Sequence, residues 1–123
     1  QVIAYSRRRY RILGETLDVA VGNCIDRLAR LLQIPNAPSP GYNVEQLAKS
    51  DPTVTPDPKL TPDRPQTHPK AVTPKLLESG EATPEDLCFS LQETAFAMLA
   101  EVTERALALT RARHLLLVGG VAC

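Results

Sequence analysis

The sequence lacks several features that would point to a class of protein. It has no tryptophan, and aromatic residues make up only 4 % of its 123 residues, so any core is aliphatic. No apolar run approaches the roughly 20 residues that span a bilayer, and no secretory signal is visible. Lysine plus arginine equals aspartate plus glutamate at 14 each. Net charge therefore gives no general argument for binding nucleic acid or membranes.

Cysteine and histidine are also sparse. Cys24, Cys88 and Cys123 lie far apart in the sequence and form no Cys-x-x-Cys pair, which argues against a disulfide framework or a zinc site and suits a reducing compartment. The two histidines, His68 and His114, have no partner at ligand spacing. We predict free thiols and no metal site made by these residues.

Residues 1–50 have the pattern of a folded region. The β-rich segment "QVIAYS" predicts a strand, and "RRRYR" follows it with four arginines in five positions. Two interpretations of these arginines remain open. Charged residues commonly line a solvated strand edge, and arginines also bind the phosphate backbone of RNA without reading its sequence.

The segment "GETLDVAVGNCIDRLARLL" predicts an amphipathic helix that begins with Thr16 as N-cap and ends near Gln33. Asp18, Gly22 and Asp26 are spaced four apart and should share one line of this helix. The core face should consist of apolar residues at steps of three and four, namely Leu17, Val21, Cys24, Ile25, Leu28 and Leu32. The prolines in "NAPSPGYN" predict a rigid loop, and "NVEQLAKS" a short second helix.

Residues 51–80 differ in character, because they contain seven of the 11 prolines and no apolar periodicity. Such a segment buries too little surface to offset its ordering entropy, which predicts a disordered linker. A proline motif for an SH3-like domain is the alternative.

Residues 81–123 again have the pattern of a folded region. "TPED" predicts a helix start with Thr83 as N-cap and Asp86 completing a capping box. An apolar stripe then extends this helix to about Arg111, and "HLLLV" predicts a buried strand. The strand runs into Gly119-Gly120, a turn that lets backbone approach a phosphate when a helix follows. The stripe consists of Leu87, Leu91, Ala95, Met98, Val102, Ala106 and Leu109.

Four segments in the same order carry a family resemblance: "VIAYSRRRYRILGETLDVAVGNCIDRLARLL", "PSPGYNVEQLAK", "TPEDLCFSLQETAFAMLAEVTERAL" and "LLLVGGVAC". They resemble the tRNA N6-adenosine threonylcarbamoyltransferase family, in its archaeal and eukaryotic cytosolic branch, the catalytic subunit of the KEOPS complex. The resemblance implies an α/β fold that is part of the actin-like ATPase fold, with helices packed on a few strands. Residues 1–50 and 81–123 would be its first and second parts. The implied reaction transfers a threonylcarbamoyl group from an adenylate to the adenosine next to the tRNA anticodon.

The resemblance also implies a set of ligand-binding residues. Asp26 stands where the family binds the nucleotide-like donor, and its carboxylate would accept hydrogen bonds from ribose hydroxyls. Gly41 and Glu45 would line the same site, and Gly119 with Gly120 would match the glycine turn near the phosphates. The alternative for Asp26 is a solvated helix residue. The resemblance gives Gly22 no role, and we expect it to let another element pack close to the helix.

The departures from the family pattern set further expectations. The family holds a divalent metal through a His-x-x-x-His motif and a distant acid, and this sequence contains neither, nor a Ser-Phe-Ser-Gly-type motif in residues 51–80. We therefore expect an internal piece of the enzyme, with no catalytic or metal residues of its own and no turnover alone. A more general actin-like kinase would not need "GNCIDRLARLL" and "PSPGYN" together.

The implied partners are tRNA and the other KEOPS subunits, a kinase-like one and a small dimerising one, with no membrane. The implied location is the cytoplasm, with the nucleus as a second compartment. A non-catalytic module that assembles with the KEOPS subunits is the alternative function.

Overall fold

The computed structural model describes residues 1–50, 77–80 and 82–122. Along the chain these residues form strands β1 (Val2–Ser6) and β2 (Arg9–Gly14), then helices α1 (Val21–Leu31), α2 (Pro40–Ser50) and α3 (Pro84–Thr110). The predicted α/β class is confirmed. The predicted linker lies almost wholly outside the described residues. None of the described helices is both long and apolar enough to cross a membrane.

The two strands form an antiparallel hairpin, in which Tyr5 pairs with Tyr10 and Ser6 with Arg9. Its turn is Arg7-Arg8, and both residues have positive φ, 51° and 61°, as a two-residue turn between twisted strands requires. The predicted first strand is confirmed. Arg9 and Arg11 lie in β2 and are exposed, as the solvated strand edge left open in the sequence would have them. The turn itself was missed because arginines replace the Asn-Gly or Gly that usually signals it.

Helix α1 begins five residues later than Thr16, so the predicted N-cap is wrong. The N-cap is Ala20, which makes no side-chain cap, and Asp18 precedes the helix. Leu17 is 93 % exposed, whereas Val19 is 3 % exposed. The segment is therefore anchored by burying Val19 in a non-helical conformation, and this outweighs the capping preference of Thr16. The predicted helix end near Gln33 lies within two residues of the observed end.

Helix α2 begins at Pro40, inside the segment predicted to be a loop. Pro40 occupies the first helical position, where its missing N–H costs nothing, and Ser39 Oγ accepts the backbone N–H of Tyr42 at 3.3 Å. Gly41 is therefore a helical residue. The prolines of this segment end one helix and start the next within a few residues.

Helix α3 confirms its predicted start and length. Thr83 Oγ1 accepts the backbone N–H of Asp86 at 3.1 Å, and Asp86 Oδ2 accepts the backbone N–H of Thr83 at 2.8 Å. This capping box satisfies two N–H groups that a helix start leaves without partners. The helix has 27 residues, so it is about 40 Å long.

The core lies where α1, α2 and the beginning of α3 meet. It consists of small and aliphatic side chains, in keeping with the scarcity of aromatics: Leu28, Ala29, Val44, Ala48, Ala82, Leu87 and Cys88. Ile25, Leu32 and Ile34 pack against its edge. This packing fixes the angle and spacing between the end of α1 and the beginning of α2.

The predicted strand "HLLLV" is wrong, because residues 112–118 have no regular secondary structure. Leu116 is 83 % exposed and Val118 is 81 % exposed. A strand requires a hydrogen-bonded neighbour, and the only sheet in the described part of the chain is the hairpin, whose two strands pair with each other.

Candidate functional site

An open cavity of about 310 Å³ lies between the end of α1 and the beginning of α2. Most of its lining is polar: Asp26, Arg30, Gln33, Ile34, Asn36 and Pro40. Two of these residues come from α1, three from the connection that follows, and one from the first position of α2. The cavity is therefore built by a single helix-loop-helix corner.

The floor of the cavity is the C-terminal end of α1. The Gln33 N–H donates to the Arg30 carbonyl at 3.2 Å, and the Ile34 N–H donates to the Ala29 carbonyl at 2.8 Å. These two bonds form a Schellman motif, in which one residue must take the left-handed conformation. That residue is Gln33, with φ of 56°, and Ile34 then turns into the core.

The wall of the cavity is held by Asn43 of α2. Its Nδ2 donates to the carbonyl of Pro35 at 2.7 Å and to that of Ala37 at 2.9 Å. The two bonds fix the loop on either side of Asn36, which lines the cavity. Because a helix supports the loop, the cavity has a defined shape without a ligand.

Asp26 is the acidic residue of the cavity. It is exposed, and within the described residues it makes no hydrogen bond or ion pair. Arg30 lies one helical turn further along the same line and is also unpaired in this part of the chain. An ionised carboxylate accepts hydrogen bonds from a diol, and a guanidinium donates to acceptors or stacks on a planar ring. The pair thus suits a ligand with hydroxyls and an aromatic or polar ring.

Gly41 and Glu45 were predicted to share a cleft with Asp26, and neither lines the cavity. Gly41 follows Pro40, and a Cβ placed on it would lie 3.9 Å from Ile25 Cγ2, so its bare face meets α1. Glu45 forms an ion pair with Lys49 at 2.6 Å. Both of those side chains are about half exposed, so the pair is weak and leaves the Glu45 carboxylate able to rotate towards a ligand. Their binding roles stay predictions.

Gly119 and Gly120 lie in a turn closed by the Ala122 N–H, which donates to the Gly119 carbonyl at 3.0 Å. Gly119 has φ of 121°, a conformation that favours glycine. The next residue, Val121, packs on α1, where its Cγ2 lies 3.5 Å from the Cβ position of Gly22. An added Cβ would make only an ordinary van der Waals contact at that distance, so the expected role of Gly22 in close packing stays a prediction. The glycine turn therefore adjoins α1 one helical turn before Asp26.

The two cysteines of the described core are free and buried. Burial raises the pKa of Cys24, and burial together with the Glu85 carboxylate raises the pKa of Cys88 to about 12. Both thiols are protonated at neutral pH and lack the thiolate that nucleophilic chemistry requires. The prediction of free thiols is confirmed for these two cysteines, which pack in the core.

The family model described as TsaD, tRNA N6-adenosine threonylcarbamoyltransferase, matches residues 1–123. This chain belongs to that family. The bovine tRNA N6-adenosine threonylcarbamoyltransferase is 54 % identical over 129 aligned residues, and so is the human protein, with 100 % of this chain covered. The protein of the same name from Yarrowia lipolytica is 53 % identical over 135 residues. In each case the chain spans 38 % of the relative's length.

The resemblance of the four motifs to the threonylcarbamoyltransferase family is thus confirmed. Within the "GNCIDRLARLL" and "PSPGYN" motifs, sequence reasoning selected Asp26 and Gly41 but missed Arg30 and Asn43. The spacing of Arg30, four residues after Asp26, was the available signal for a shared cavity. No sequence signal could reveal that Gln33 is left-handed, because glycine or asparagine normally takes that position.

Proposed function

We propose that this chain contributes the adenosine-binding corner of an enzyme that transfers a threonylcarbamoyl group from an adenylate to adenosine in tRNA. The observation that supports this most is the Asp26 carboxylate in a preformed polar cavity, where it makes no hydrogen bond or ion pair with the described residues, inside a chain that matches the threonylcarbamoyltransferase family along its whole length. Such a carboxylate is available to accept hydrogen bonds from two hydroxyl groups of a ribose.

The residues of the corner would contact the parts of the ligand in a defined spatial order. Asp26 would accept the ribose hydroxyls, Gly41 and Glu45 would border the same ligand, and the backbone at Gly119 and Gly120 would approach the phosphate. The contact between Val121 and Gly22 supports this order, because it brings the glycine turn to α1 one helical turn before Asp26. The chain's contribution to catalysis would then be positioning of the donor, which lowers the entropic part of the barrier.

The divalent metal that the resemblance implies does not fit the described residues. No three His, Cys, Asp or Glu side chains of residues 1–50, 77–80 and 82–122 lie together, and His114 is exposed. A hard cation requires several ligands at one point. No step is therefore assigned to a metal held by this part of the chain.

The resemblance suggests a wider setting for this function. We propose that the described elements form part of an actin-like ATPase fold, with tRNA and the kinase-like and small dimerising KEOPS subunits as partners, in the cytoplasm and, as a second compartment, the nucleus. The exposed arginines of the hairpin, Arg7, Arg8, Arg9 and Arg11, offer a sequence-independent contact for the phosphates of the tRNA.

The experiment is calorimetric titration of the chain with adenosine 5′-monophosphate. Replacing Asp26 with Asn removes the charge and keeps the shape, so affinity should fall by about 1.5–3 kcal/mol. The matched control is Glu104→Gln, which removes one charge from an exposed position of α3 and should leave affinity unchanged. Equal affinity in the Asp26→Asn variant and the unaltered chain would refute the proposal.

A further inference from the structure

The tip of the β1–β2 hairpin brings two tyrosines together. Tyr5 and Tyr10 are cross-strand partners, and their ring centroids lie 4.8 Å apart with the ring planes inclined at 46°. Tyr5 is 63 % exposed and Tyr10 is 77 % exposed. Contact between the two rings covers only part of each, so both keep an aromatic surface that is open to a flat ligand.

The tyrosines lie on the more open face of the hairpin. Side chains alternate between the two faces of a strand, so Ala4 and its partner Arg11 lie on the face opposite to the tyrosines. Ala4 is half-buried, whereas Tyr5 is exposed. Packing within the described part of the chain therefore does not account for two large rings at this position.

The hairpin also carries a concentrated positive charge. Residues 1–14 contain four arginines and no aspartate or glutamate. All four arginines are exposed, and their side chains form no ion pair with the described residues. Arg7 and Arg8 form the turn, each two residues or about 7 Å from the nearer tyrosine. Their long side chains can reach the phosphates of a nucleotide whose base lies on either ring.

The conformation of the turn gives independent support. Arg7 and Arg8 have φ of 51° and 61°, a left-handed conformation that is costly for a residue with a Cβ. Asparagine and glycine take these turn positions at the least cost. The two arginines therefore reduce stability at the point where they place their charge, a pattern that occurs at functional sites.

We propose that the hairpin tip binds unpaired RNA, with bases stacked on Tyr5 and Tyr10 and phosphates paired with Arg7 and Arg8. Aromatic rings combined with cationic side chains bind single strands without reading their sequence. The inference rests on the proposed function in one respect, since tRNA as substrate decides in favour of RNA among polyanions. It goes beyond that function by assigning the stacking residues and by selecting unpaired segments over duplex.

Stacking and charge predict opposite preferences between single strand and duplex. A duplex has the higher charge density and releases more counterions for each phosphate contact, so arginines alone would bind it at least as tightly as a single strand. The base faces of a duplex are covered by neighbouring bases and cannot stack on tyrosine. A preference for the single strand therefore reports the contribution of the rings.

The test measures the fluorescence anisotropy of a short labelled oligouridylate, alone and annealed to oligoadenylate, on titration with the 123-residue chain. The single-stranded probe contains no adenosine that could enter the corner between α1 and α2. The unaltered chain should bind the single strand more tightly than the duplex.

Substitution of the tyrosines separates stacking from charge. Tyr5→Leu and Tyr10→Leu keep an apolar side chain but remove the ring, and each should weaken single-strand binding about fivefold or more. Duplex affinity should stay unchanged, which shows that the hairpin still forms. Tyr5→Phe and Tyr10→Phe keep the ring and should retain the single-strand affinity. The matched control is Tyr42→Leu, which removes a half-exposed ring from α2 and should have no effect.

Arg8→Gln tests the phosphate contact. The variant should lower the slope of log affinity against log salt concentration by about 0.7 for the single strand, whereas the leucine variants should leave this slope unchanged. The matched control is Arg113→Gln, which removes the same charge from an exposed position beyond the end of α3 and should leave the slope as it is.

Two results would overturn the stacking role. One is equal or tighter binding of the duplex, or single-strand binding that survives both leucine substitutions. The other is binding to vesicles of phosphatidylserine and phosphatidylcholine with none to the oligouridylate, since exposed tyrosines and arginines also suit a membrane interface.

The titration with adenosine 5′-monophosphate distinguishes this inference from the proposed function. If that nucleotide binds in a manner that depends on Asp26 but the oligouridylate fails to bind, only the stacking role is wrong. If the oligouridylate binds through the tyrosines but the nucleotide fails to bind, the stacking role is supported and the adenosine-binding corner is wrong.

Discussion

The two ends of helix α3 differ in what covers them. Its buried residues, Leu87, Cys88, Ser90 and Ala95, all lie in the first half, which packs on α1 and α2. Further along, Val102 is 36 % exposed and Leu109 is 77 % exposed. The apolar stripe that predicted the helix continues through both halves without a break.

The difference shows that apolar periodicity identifies the apolar face of a helix but does not show what packs against that face. The stripe along α3 correctly predicted a helix, because a single helix can satisfy its own backbone hydrogen bonds. Residues 115–118 are all apolar, yet they form no strand among the described residues, because a strand's hydrogen bonds require a neighbour. Helices are therefore predicted from local pattern more readily than strands.

The largest effect should come from truncating one leucine in the core that covers the first half of α3 and one in the exposed segment beyond the end of α3. Leu28 is 1 % exposed and Leu116 is 83 % exposed. Leu28→Ala should lower the free energy of unfolding by about 2–5 kcal/mol, because it leaves a cavity, whereas Leu116→Ala should change it by less than about 0.5 kcal/mol. Urea denaturation followed by circular dichroism measures both. Similar losses would mean that residues 112–118 are packed in solution.

An intermediate loss of the free energy of unfolding is expected from removing Asn43, which holds the loop beside the cavity. Asn43→Ala removes the two hydrogen bonds to the loop and should cost about 1–2 kcal/mol. The matched control, Asn23→Ala, alters an exposed residue of α1 and should be neutral or slightly stabilising, since alanine favours helix. If Asn43→Ala proved as mild as the control, the loop would be held by packing alone.

The smallest effect concerns the buried first half of α3 and appears only at alkaline pH. Burial raises the pKa of Cys88 from 9.0 to about 12, so the unfolded chain loses this proton before the folded chain does. The raised pKa of Cys88 therefore contributes fully to the free energy of unfolding below pH 9, and this contribution is lost as pH rises towards 12. Between pH 8 and pH 10 the loss should be about 1 kcal/mol.

The comparison for this pH effect is Cys88→Ala. The variant is expected to be less stable at pH 8 because of the lost volume, but its stability should fall less steeply up to pH 10. All other residues are the same in both proteins, so their effects cancel in the difference. Parallel slopes would show that the Cys88 thiol titrates alike in the folded and unfolded chain.

The candidate site shows a similar division between what sequence could and could not predict. Asp26 was selected from a motif, and the structure places it in a cavity. The shape of that cavity depends on a left-handed Gln33 and on Asn43 bonding back to the loop. Neither the conformation of Gln33 nor the hydrogen bonds of Asn43 can be predicted from composition or residue spacing, because both depend on how the two helices pack together. The start of α1 was misplaced for a related reason. Burial of Val19 stabilises a non-helical segment by more than a cap at Thr16 would stabilise a longer helix.

The central claim is that the corner between α1 and α2 binds an adenosine nucleotide. Amide NMR titration of the isotope-labelled chain with adenosine 5′-monophosphate tests it most directly, because every described backbone N–H reports its own surroundings. We predict that the largest shifts fall on residues 22–41 and 119–122, and that Asp26→Asn reduces them at equal nucleotide concentration. Shifts centred on the hairpin or on residues 112–118, or no shifts at millimolar nucleotide, would contradict it.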